Sequence, residues 1–368
     1  MSKIKSFIRQ EVTLCIAFLA AVVSCFFVKP DRGYLSYPDL RTLALLYCLM
    51  VVVAGLRRAG VFNRLSHLLC ARAATVRSMA VVLVALSFFS AMLVTNDVAL
   101  LTFVPFAVAV LSMAGKSRYL TSVVVLQTVA ANLGSMLTPV GNPQNLYLYS
   151  HYDMSMGTFL EVTAPIWALS AAIIGLLCLT LPKEPLEVFL GEKPLLYKGE
   201  MWVYLGLFCV CLLTVVRVLD WYIMLAILVA VLLIYRRRML LSADFYLLLT
   251  FVCFFVFSGN LGRIPAVDTF LRGILNGHEL LVGAGASQVI SNVPAAILLS
   301  GFTENGKDLL LGTDIGGLGT PIASLASLIA MKLYSHADGA DTGKFMKLFL
   351  VVNFGLLAIL LAVAQFIG

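Results

Sequence analysis

Apolar segments of about 20 residues recur from one end of the chain to the other, and this pattern restricts the fold more than any other feature. In the hydrocarbon core of a bilayer, backbone polar groups must be bonded within the protein, so such segments fold as helices. Of the 368 residues, 61% are hydrophobic and only 12% are charged, whereas soluble domains carry about 25% charged residues. The sequence therefore predicts an all-α integral membrane protein embedded in the lipid bilayer.

Nine segments are predicted to cross the bilayer as full spans: 12–28, 41–57, 119–150, 158–181, 201–217, 220–235, 243–259, 308–334 and 345–366. Two further apolar stretches, 79–113 and 279–301, are each interrupted by polar residues near the middle. We interpret both as re-entrant hairpins, which enter the membrane and return to the same face.

The basic residues support one orientation of this layout. With the N-terminus in the cytoplasm and the C-terminus outside, most of the 26 Lys and Arg residues fall on the cytoplasmic side. The outer side takes only Lys29, Arg32, Arg41, Arg217, Arg263, Arg272 and Lys307. The pattern indicates a multi-pass protein of the cell (inner) membrane. Because the basic residues lie in short loops between spans, the net charge of +7 does not indicate nucleic-acid binding.

The two interrupted regions are copies of one another. Residues 90–96 align with 286–292, and 132–140 align with 314–322 with Gly, Thr and Pro at identical offsets. From the start of span 41–57 to the start of its equivalent 243–259 the chain is predicted to cross the bilayer five times, an odd number, so the second copy is inverted relative to the first. The predicted organisation is an N-terminal span (1–40), a first inverted repeat (41–181), a cytoplasmic linker with connecting spans (182–242) and a second inverted repeat (243–368).

A hydroxyl–Asn pair lies at the tip of each predicted hairpin, Thr95-Asn96 in the first and Ser291-Asn292 in the second. Such a pair is expected to cap the second hairpin helix, whose N-terminal amides can then hold an anion. A capped turn without a ligand is the alternative interpretation. Two copies at symmetric positions favour binding, since inverted repeats place their sites between interrupted segments.

Gly/Pro-rich breaks interrupt the apolar spans at 134–145 and 312–321. Gly permits unusual backbone angles and Pro removes a donor, which leaves carbonyls free to coordinate a cation. A structural kink is the alternative. Against it stand side chains that are costly at this depth unless they bind something: Asn132, Asn142, Gln144 and Asn145.

Asp97 and Asp314 are the acids within the hairpins' tips and breaks. An intramembrane carboxylate is functional by default, because it can ligate Na⁺ or carry a coupling proton. A helix-capping Asp is the alternative for each. The chain shows no catalytic motif, metal cluster or phosphate loop, so an enzyme is not expected. Closed hairpin tips also argue against a passive channel, which needs a continuous polar pore face.

The hairpin tips and Gly/Pro-rich breaks of this chain resemble those of the ion transporter superfamily. This superfamily includes divalent anion/sodium symporters, citrate permeases, arsenite permeases and NhaD-type antiporters. The two tips resemble the Ser-Asn-Thr tips of the symporters, with Asp97 and Val293 at the third position. Residues 131–146 are similar to the corresponding stretch of arsenite and citrate-type permeases. The resemblance implies an elevator-type transporter, in which hairpins and broken helices slide against a scaffold that forms a homodimer. The amphipathic segments 58–72 and 262–275 would act as arms.

We therefore expect a secondary transporter of a small anion, a di- or tricarboxylate, with coupling Na⁺ or H⁺ in place of a cofactor. The alternatives are an arsenite or antimonite efflux permease and a Na⁺/H⁺ antiporter. Substrate binding is assigned to Thr95, Asn96, Asn142, Pro143, Ser291, Asn292, Thr320 and Pro321. Cation binding or coupling is assigned to Asp97, Asn132, Gly134, Gly141, Asp314 and Gly316, with Na⁺ coordination at Asn96, Asp97, Asn292 and Asp314.

Overall fold

The chain folds into helices packed around buried apolar side chains. The computed structural model describes residues 11–186 and 193–367, and these ranges contain no β-strand. The helices are α1 (Val12–Phe27), α2 (Leu40–Arg58), α3 (Val61–Cys70), α4 (Val76–Val94), α5 (Asn96–Met113), α6 (Leu120–Ser135), α7 (Pro143–His151), α8 (Met156–Leu179), α9 (Lys198–Val215), α10 (Trp221–Arg236), α11 (Phe245–Gly262), α12 (Pro265–Leu275), α13 (Glu279–Ile290), α14 (Asn292–Ser300), α15 (Gly306–Ile315), α16 (Leu325–Ser335) and α17 (Thr342–Ile367).

Seven helices in the described ranges are long and apolar enough to cross a membrane, namely α2, α4, α5, α8, α9, α11 and α17. Many of their large apolar side chains are exposed, including Leu176, Ile234 and Val351. Exposed apolar surface of this extent is suited to lipid rather than to water. The prediction of an all-α integral membrane protein is confirmed.

Each predicted hairpin is a pair of helices joined by a single residue. In the first, α4 and α5 pack against one another and only Thr95 separates them. In the second, only Ser291 separates α13 from α14. The first pair is the longer, because α4 has 19 residues and α5 has 18, against 12 and 9 in the second. The membrane face from which either hairpin enters remains a prediction.

The two Gly/Pro-rich segments break their helices as predicted. The first break separates α6 from α7, and the Asn142 side chain caps α7 by accepting from the Asn145 amide at 2.9 Å. Pro143 occupies the first turn of α7, where its missing N–H costs nothing. The second break separates α15 from α16 and contains a short 3₁₀ turn at Pro321–Ala323. The predicted spans 119–150 and 308–334 are thus each two half-helices.

The hairpins pack closely onto the broken helices through glycine. Helix α4 lies against α6, and α13 lies against α15 in the equivalent way. A Cβ at Gly134 would collide with the backbone carbonyl of Phe88, and one at Gly316 would lie 2.8 Å from the Ala284 Cα. Phe88 and Ala284 are equivalent positions in the aligned repeats. The close contact is therefore part of the repeat.

A separate group of helices surrounds one side of this unit. Helix α11 packs against α1, and α2 packs against α9, α10 and α11. Buried Asn260 joins α11 to the N-terminal region by donating to the Ser24 hydroxyl at 2.9 Å and to the Tyr34 hydroxyl at 2.8 Å. We call α1, α2, α9, α10 and α11 the scaffold helices. The amphipathic segments form short helices as predicted, α3 after α2 and α12 after α11.

The linker after α8 is fixed to the base of the first hairpin. The Glu184 carboxylate accepts from Tyr119, from Arg118 at 2.5 Å and from Lys116 at 3.0 Å. These donors lower the pKa of Glu184 to about 2. On the far side of residues 187–192, the Tyr197 amide donates to the Ala59 carbonyl at 3.0 Å. The linker therefore connects the hairpin base to the end of α2.

Candidate functional site

The two hairpin tips have the same unusual backbone conformation. Thr95 has φ 74° and ψ 148°, and Ser291 has φ 73° and ψ 153°. This region suits glycine, and a residue with a Cβ pays about 1–3 kcal/mol to occupy it. The same strain at both aligned positions indicates that the surrounding structure requires these angles. It confirms that the hydroxyl–Asn pairs are equivalent.

The asparagine rather than the hydroxyl caps the second hairpin helix. In the described chain neither the Thr95 nor the Ser291 side chain makes a capping hydrogen bond. The Asn96 Oδ1 accepts from the Asp97 amide at 3.0 Å, and the Asn292 Oδ1 accepts from the Val293 amide at 3.0 Å. Of each predicted hydroxyl–Asn pair, the asparagine therefore makes the bond at the helix start.

Each hairpin is fastened to its own break by the same hydrogen bond. The Thr138 hydroxyl donates to the Met92 carbonyl in the first repeat. The Thr320 hydroxyl donates to the Gln288 carbonyl at 3.0 Å in the second. Thr138 aligns with Thr320, and Met92 aligns with Gln288. The Gln288 side chain adds bonds of its own, accepting from the Thr320 amide at 2.9 Å.

The two breaks are joined to each other by a reciprocal pair of contacts. The Asn142 Nδ2 donates to the Asp314 Oδ1 at 3.2 Å, and the Ser324 hydroxyl donates to the Asn132 Oδ1 at 3.0 Å. Asn142 is equivalent to Ser324, and Asn132 to Asp314. All four side chains are buried. The two repeats thus contact each other in a pseudo-twofold arrangement at the predicted site.

The first tip belongs to the same network. The Asn96 Nδ2 donates to the Asn132 Oδ1 at 3.0 Å, and the Asn96 amide donates to the Gly141 carbonyl at 3.1 Å. Asn132 in turn donates to the Ser327 hydroxyl at 3.2 Å. One connected set of polar side chains therefore joins the first tip, the first broken helix and the second broken helix.

A cavity of about 910 Å³ opens beside this network, between the first hairpin and the scaffold. Predicted site residues Thr95, Asp97, Asn142 and Pro143 line one wall. The opposite wall includes polar residues of α2, of α3 and of the segment before α11: Arg57, Arg58, Asn63 and Asp244. The first hairpin tip and the first break therefore both face this cavity.

A much smaller void of about 10 Å³ lies between the two tips. Asn96, Asp97, Gln144, Asn292 and Ser324 contribute to its walls. Its volume suits about one water-sized species. Asp97 lines both spaces, so the small void adjoins the large cavity.

Other predicted site residues lie away from these two spaces. Thr320 and Pro321 line neither cavity, and Thr320 is engaged with Gln288. The three predicted glycines lie in close contacts: Gly141 approaches the Ser135 carbonyl, as Gly134 and Gly316 approach the hairpins. Their observed role is close packing. Coordination by their carbonyls remains a prediction.

Sequence reasoning missed the scaffold wall of the cavity. Arg57 ends the predicted span 41–57 and Arg58 begins the amphipathic segment 58–72, and the sequence indicates only a topology signal for their charge. Arg58 pairs with Glu200 at 3.6 Å, and Arg236 reaches the same carboxylate at 2.5 Å. Among the described residues, Arg57 and Asp97 form no ion pair. In the described chain the cavity therefore carries one unpaired cation, Arg57, and two unpaired acids, Asp97 on the opposite wall and Asp244 on the same wall.

Hairpins, broken helices and a shared polar site between two repeats define a membrane transporter. The chain belongs to the citrate transporter family (CitMHS), whose pattern matches residues 4–304. It is 31% identical over 324 residues to the inner membrane protein YbiR of Escherichia coli, covering 86% of both chains. It is 30% identical over 332 residues to the uncharacterized transporter MJ0456 of Methanocaldococcus jannaschii, covering 89% of this chain and 90% of that one.

A third relative covers a shorter part of the chain. The silicon efflux transporter LSI3 of rice (Oryza sativa subsp. japonica) is 32% identical over 168 residues, which are 44% of this chain and 34% of that protein. The predicted resemblance to the ion transporter superfamily is confirmed by these matches. The protein is a multi-pass membrane transporter and not an enzyme.

Proposed function

We propose that this transporter moves a small anion, a di- or tricarboxylate, across the inner membrane with coupling to Na⁺ or H⁺. The observation that carries the proposal is the cavity in which Arg57 faces Thr95, Asp97 and Asn142. Its volume of about 910 Å³ lies in the range of small-molecule sites. An unpaired guanidinium on one wall is suited to a carboxylate, which it can hold by two parallel hydrogen bonds.

Donors on the opposite wall would complete the recognition. The Thr95 hydroxyl lies at the tip, where a substrate in the cavity can meet it, and Asn142 lies beside it at the break with its amide already donated to Ser135 and Asp314. The backbone amides that begin α5 add a partial positive charge at the same wall. Arg57 would draw the anion in, and the tip and break would orient it.

An elevator mechanism fits the way the helices are grouped. The two hairpins and broken helices are bonded to one another at several points, including Asn142 with Asp314 and Asn96 with Asn132. The large cavity lies between the first hairpin and α2 of the scaffold, while α7 packs against α2 and α14 packs against α11. We propose that the unit moves as a body and that the scaffold helices form a homodimer. Without a nucleotide-binding motif in the sequence, an ion gradient is the energy source we propose.

A second candidate is efflux of an uncharged oxyacid such as arsenite or antimonite. The observation that favours it is the similarity to a protein named as a silicon efflux transporter. Dissolved silicon and arsenite are both uncharged hydroxylated acids at neutral pH. Such a solute would use the amides and hydroxyls of the site without needing Arg57.

Uptake into proteoliposomes tests both candidates. Labelled di- and tricarboxylates, arsenite and silicic acid are offered separately, under an imposed Na⁺ gradient or an imposed pH gradient. We expect accumulation of a carboxylate under one gradient. We also expect Arg57→Gln to raise the KM for that carboxylate about tenfold or more, and the control Arg57→Lys to preserve it in large part.

The outcomes separate the candidates. Accumulation of an uncharged oxyacid alone, insensitive to Arg57→Gln, would replace the first candidate with the second. Absence of gradient-driven movement of every solute in the panel would contradict both.

A further inference from the structure

A groove of about 800 Å³ lies at the surface of the scaffold, at the end of α10. Helix α10 ends at Arg236 and continues as a short 3₁₀ turn, Arg237–Leu241. Four arginines from these two elements and from the end of α2 line the groove: Arg58, Arg236, Arg237 and Arg238. Guanidinium groups that share one open space repel each other unless an anion lies between them.

A single carboxylate neutralises part of this charge. Glu200 of α9 is buried and pairs with Arg58 at 3.6 Å and with Arg236 at 2.5 Å. Arg237 and Arg238 are exposed, and neither forms an ion pair with another described residue. The groove therefore keeps a net positive charge and two guanidinium groups that are free to bind an anion.

The turn that carries these two arginines is held in place by the scaffold. The Tyr47 hydroxyl of α2 donates to the Leu240 carbonyl at 2.9 Å, and Met239 between them is buried. The turn is thus fixed on the side away from the groove. A site whose backbone is already ordered loses less conformational entropy when a ligand binds.

The rest of the groove is apolar and exposed. Leu233, Ile234 and Tyr235 complete its lining, and the Ile234 side chain is 90% exposed. These residues end the predicted span 220–235, where a helix meets the acyl chains and then the head groups of the bilayer. Tyrosine is enriched at this depth. A free anion, a nucleic acid or an acidic peptide would leave the aliphatic wall uncovered, whereas a phospholipid would cover it.

We propose that this groove binds an anionic phospholipid. Its phosphate would accept hydrogen bonds from Arg237 and Arg238, since the planar guanidinium group matches two phosphate oxygens at once. One acyl chain would lie along Leu233 and Ile234. Basic pockets between membrane helices are suited to such head groups. A topology signal requires only basic residues on one side of the membrane, and not a fixed groove that joins them to an exposed apolar wall.

Thermal unfolding of the purified full-length protein in detergent tests the site. We compare phosphatidylglycerol with phosphatidylcholine of the same acyl chains at equal mole fraction, and with inorganic phosphate in place of lipid. The wild-type Tm should rise by about 3 °C or more at saturating phosphatidylglycerol, and little in the other two conditions. The double variant Arg237→Gln/Arg238→Gln should lose most of this rise, because it removes both free guanidinium groups and leaves the Glu200 ion pairs intact. If the double variant does not fold, Arg238→Gln alone should lose about half of the rise.

The matched control removes the same charge elsewhere, in the double variant Arg72→Gln/Lys344→Gln. Both side chains are exposed, lie outside the groove and form no ion pair with another described residue. This control should keep the full rise. The proposal is overturned if phosphatidylcholine or inorganic phosphate reproduces the rise, if phosphatidylglycerol causes none, if the groove variant keeps it, or if the control loses as much. Because no transported solute is present, the result is independent of the proposed function.

Discussion

Thr95 and Ser291 show how much of the site the sequence alone reveals. Each forms a polar pair with the following Asn inside an apolar run, and burying such a pair within a membrane is costly. The pairs therefore marked both hairpin tips in the sequence. The strained angles and the capping by Asn96 and Asn292 followed only from the structure. Local sequence predicts where a helix must break. It does not predict which side chain satisfies the broken end.

At the residue scale, Asp97 is the acid that a substrate in the cavity would meet. Asp97→Asn keeps the size and the hydrogen-bonding capacity but removes the charge. We expect it to eliminate gradient-driven accumulation while leaving some downhill exchange, because Asn96, Asn142 and Arg57 remain. Accumulation and exchange are measured in the same vesicles at two pH values. Wild-type accumulation at both values would show that Asp97 has no coupling role.

For Arg57 and Gln144, the sequence could not predict which residues lie opposite them in the folded protein. Arg57 ends a span whose last residues are basic, and such residues are typical of cytoplasmic flanks. Gln144 is one of several amides near the first break. Their roles depend on which helix lies opposite, and that is set by tertiary packing between segments far apart in the chain.

At the scale of elements, the repeat could be recognised in the sequence because the same close packing of a hairpin helix on a broken helix is required in both copies. Gly134 and Gly316 align, and both allow a hairpin helix to approach a broken helix closely. The unequal lengths of the two hairpins agree with the unequal predicted stretches, 79–113 and 279–301. Apolar runs continue beyond the turns in both copies, so hydrophobicity alone does not define where each helix ends.

The glycine contact can be tested by adding one methyl group. Gly134→Ala would force a Cβ against the Phe88 carbonyl, which belongs to the backbone and cannot rotate away. We expect a loss of about 1–3 kcal/mol, read as a lower Tm. Gly175→Ala, on α8 with open space around it, should be neutral or slightly stabilising. Equal Tm values for the two variants would contradict the packing role of Gly134.

At the scale of the whole molecule, the orientation in the membrane is still a prediction from charge. In a cysteine-free background, Lys193→Cys should react with an impermeant maleimide only from the cytoplasm, and Lys307→Cys only from outside. Both positions are exposed in the structure, so reactivity reports the side and not burial. Labelling of both from the same side would contradict the inverted arrangement of the repeats.

The central claim is that transport requires the polar site at which the two symmetric hairpin tips meet. The most direct measurement is proteoliposome uptake by Asn96→Ala and Asn292→Ala, with Asn353→Ala as the control. Asn353 is buried too, but its amide bonds within its own helix, to the Phe349 carbonyl at 2.9 Å. We predict that each tip variant inserts, folds and loses transport, while the control retains it. Uptake at the wild-type rate by both tip variants would reduce the tips to plain turns and contradict the account.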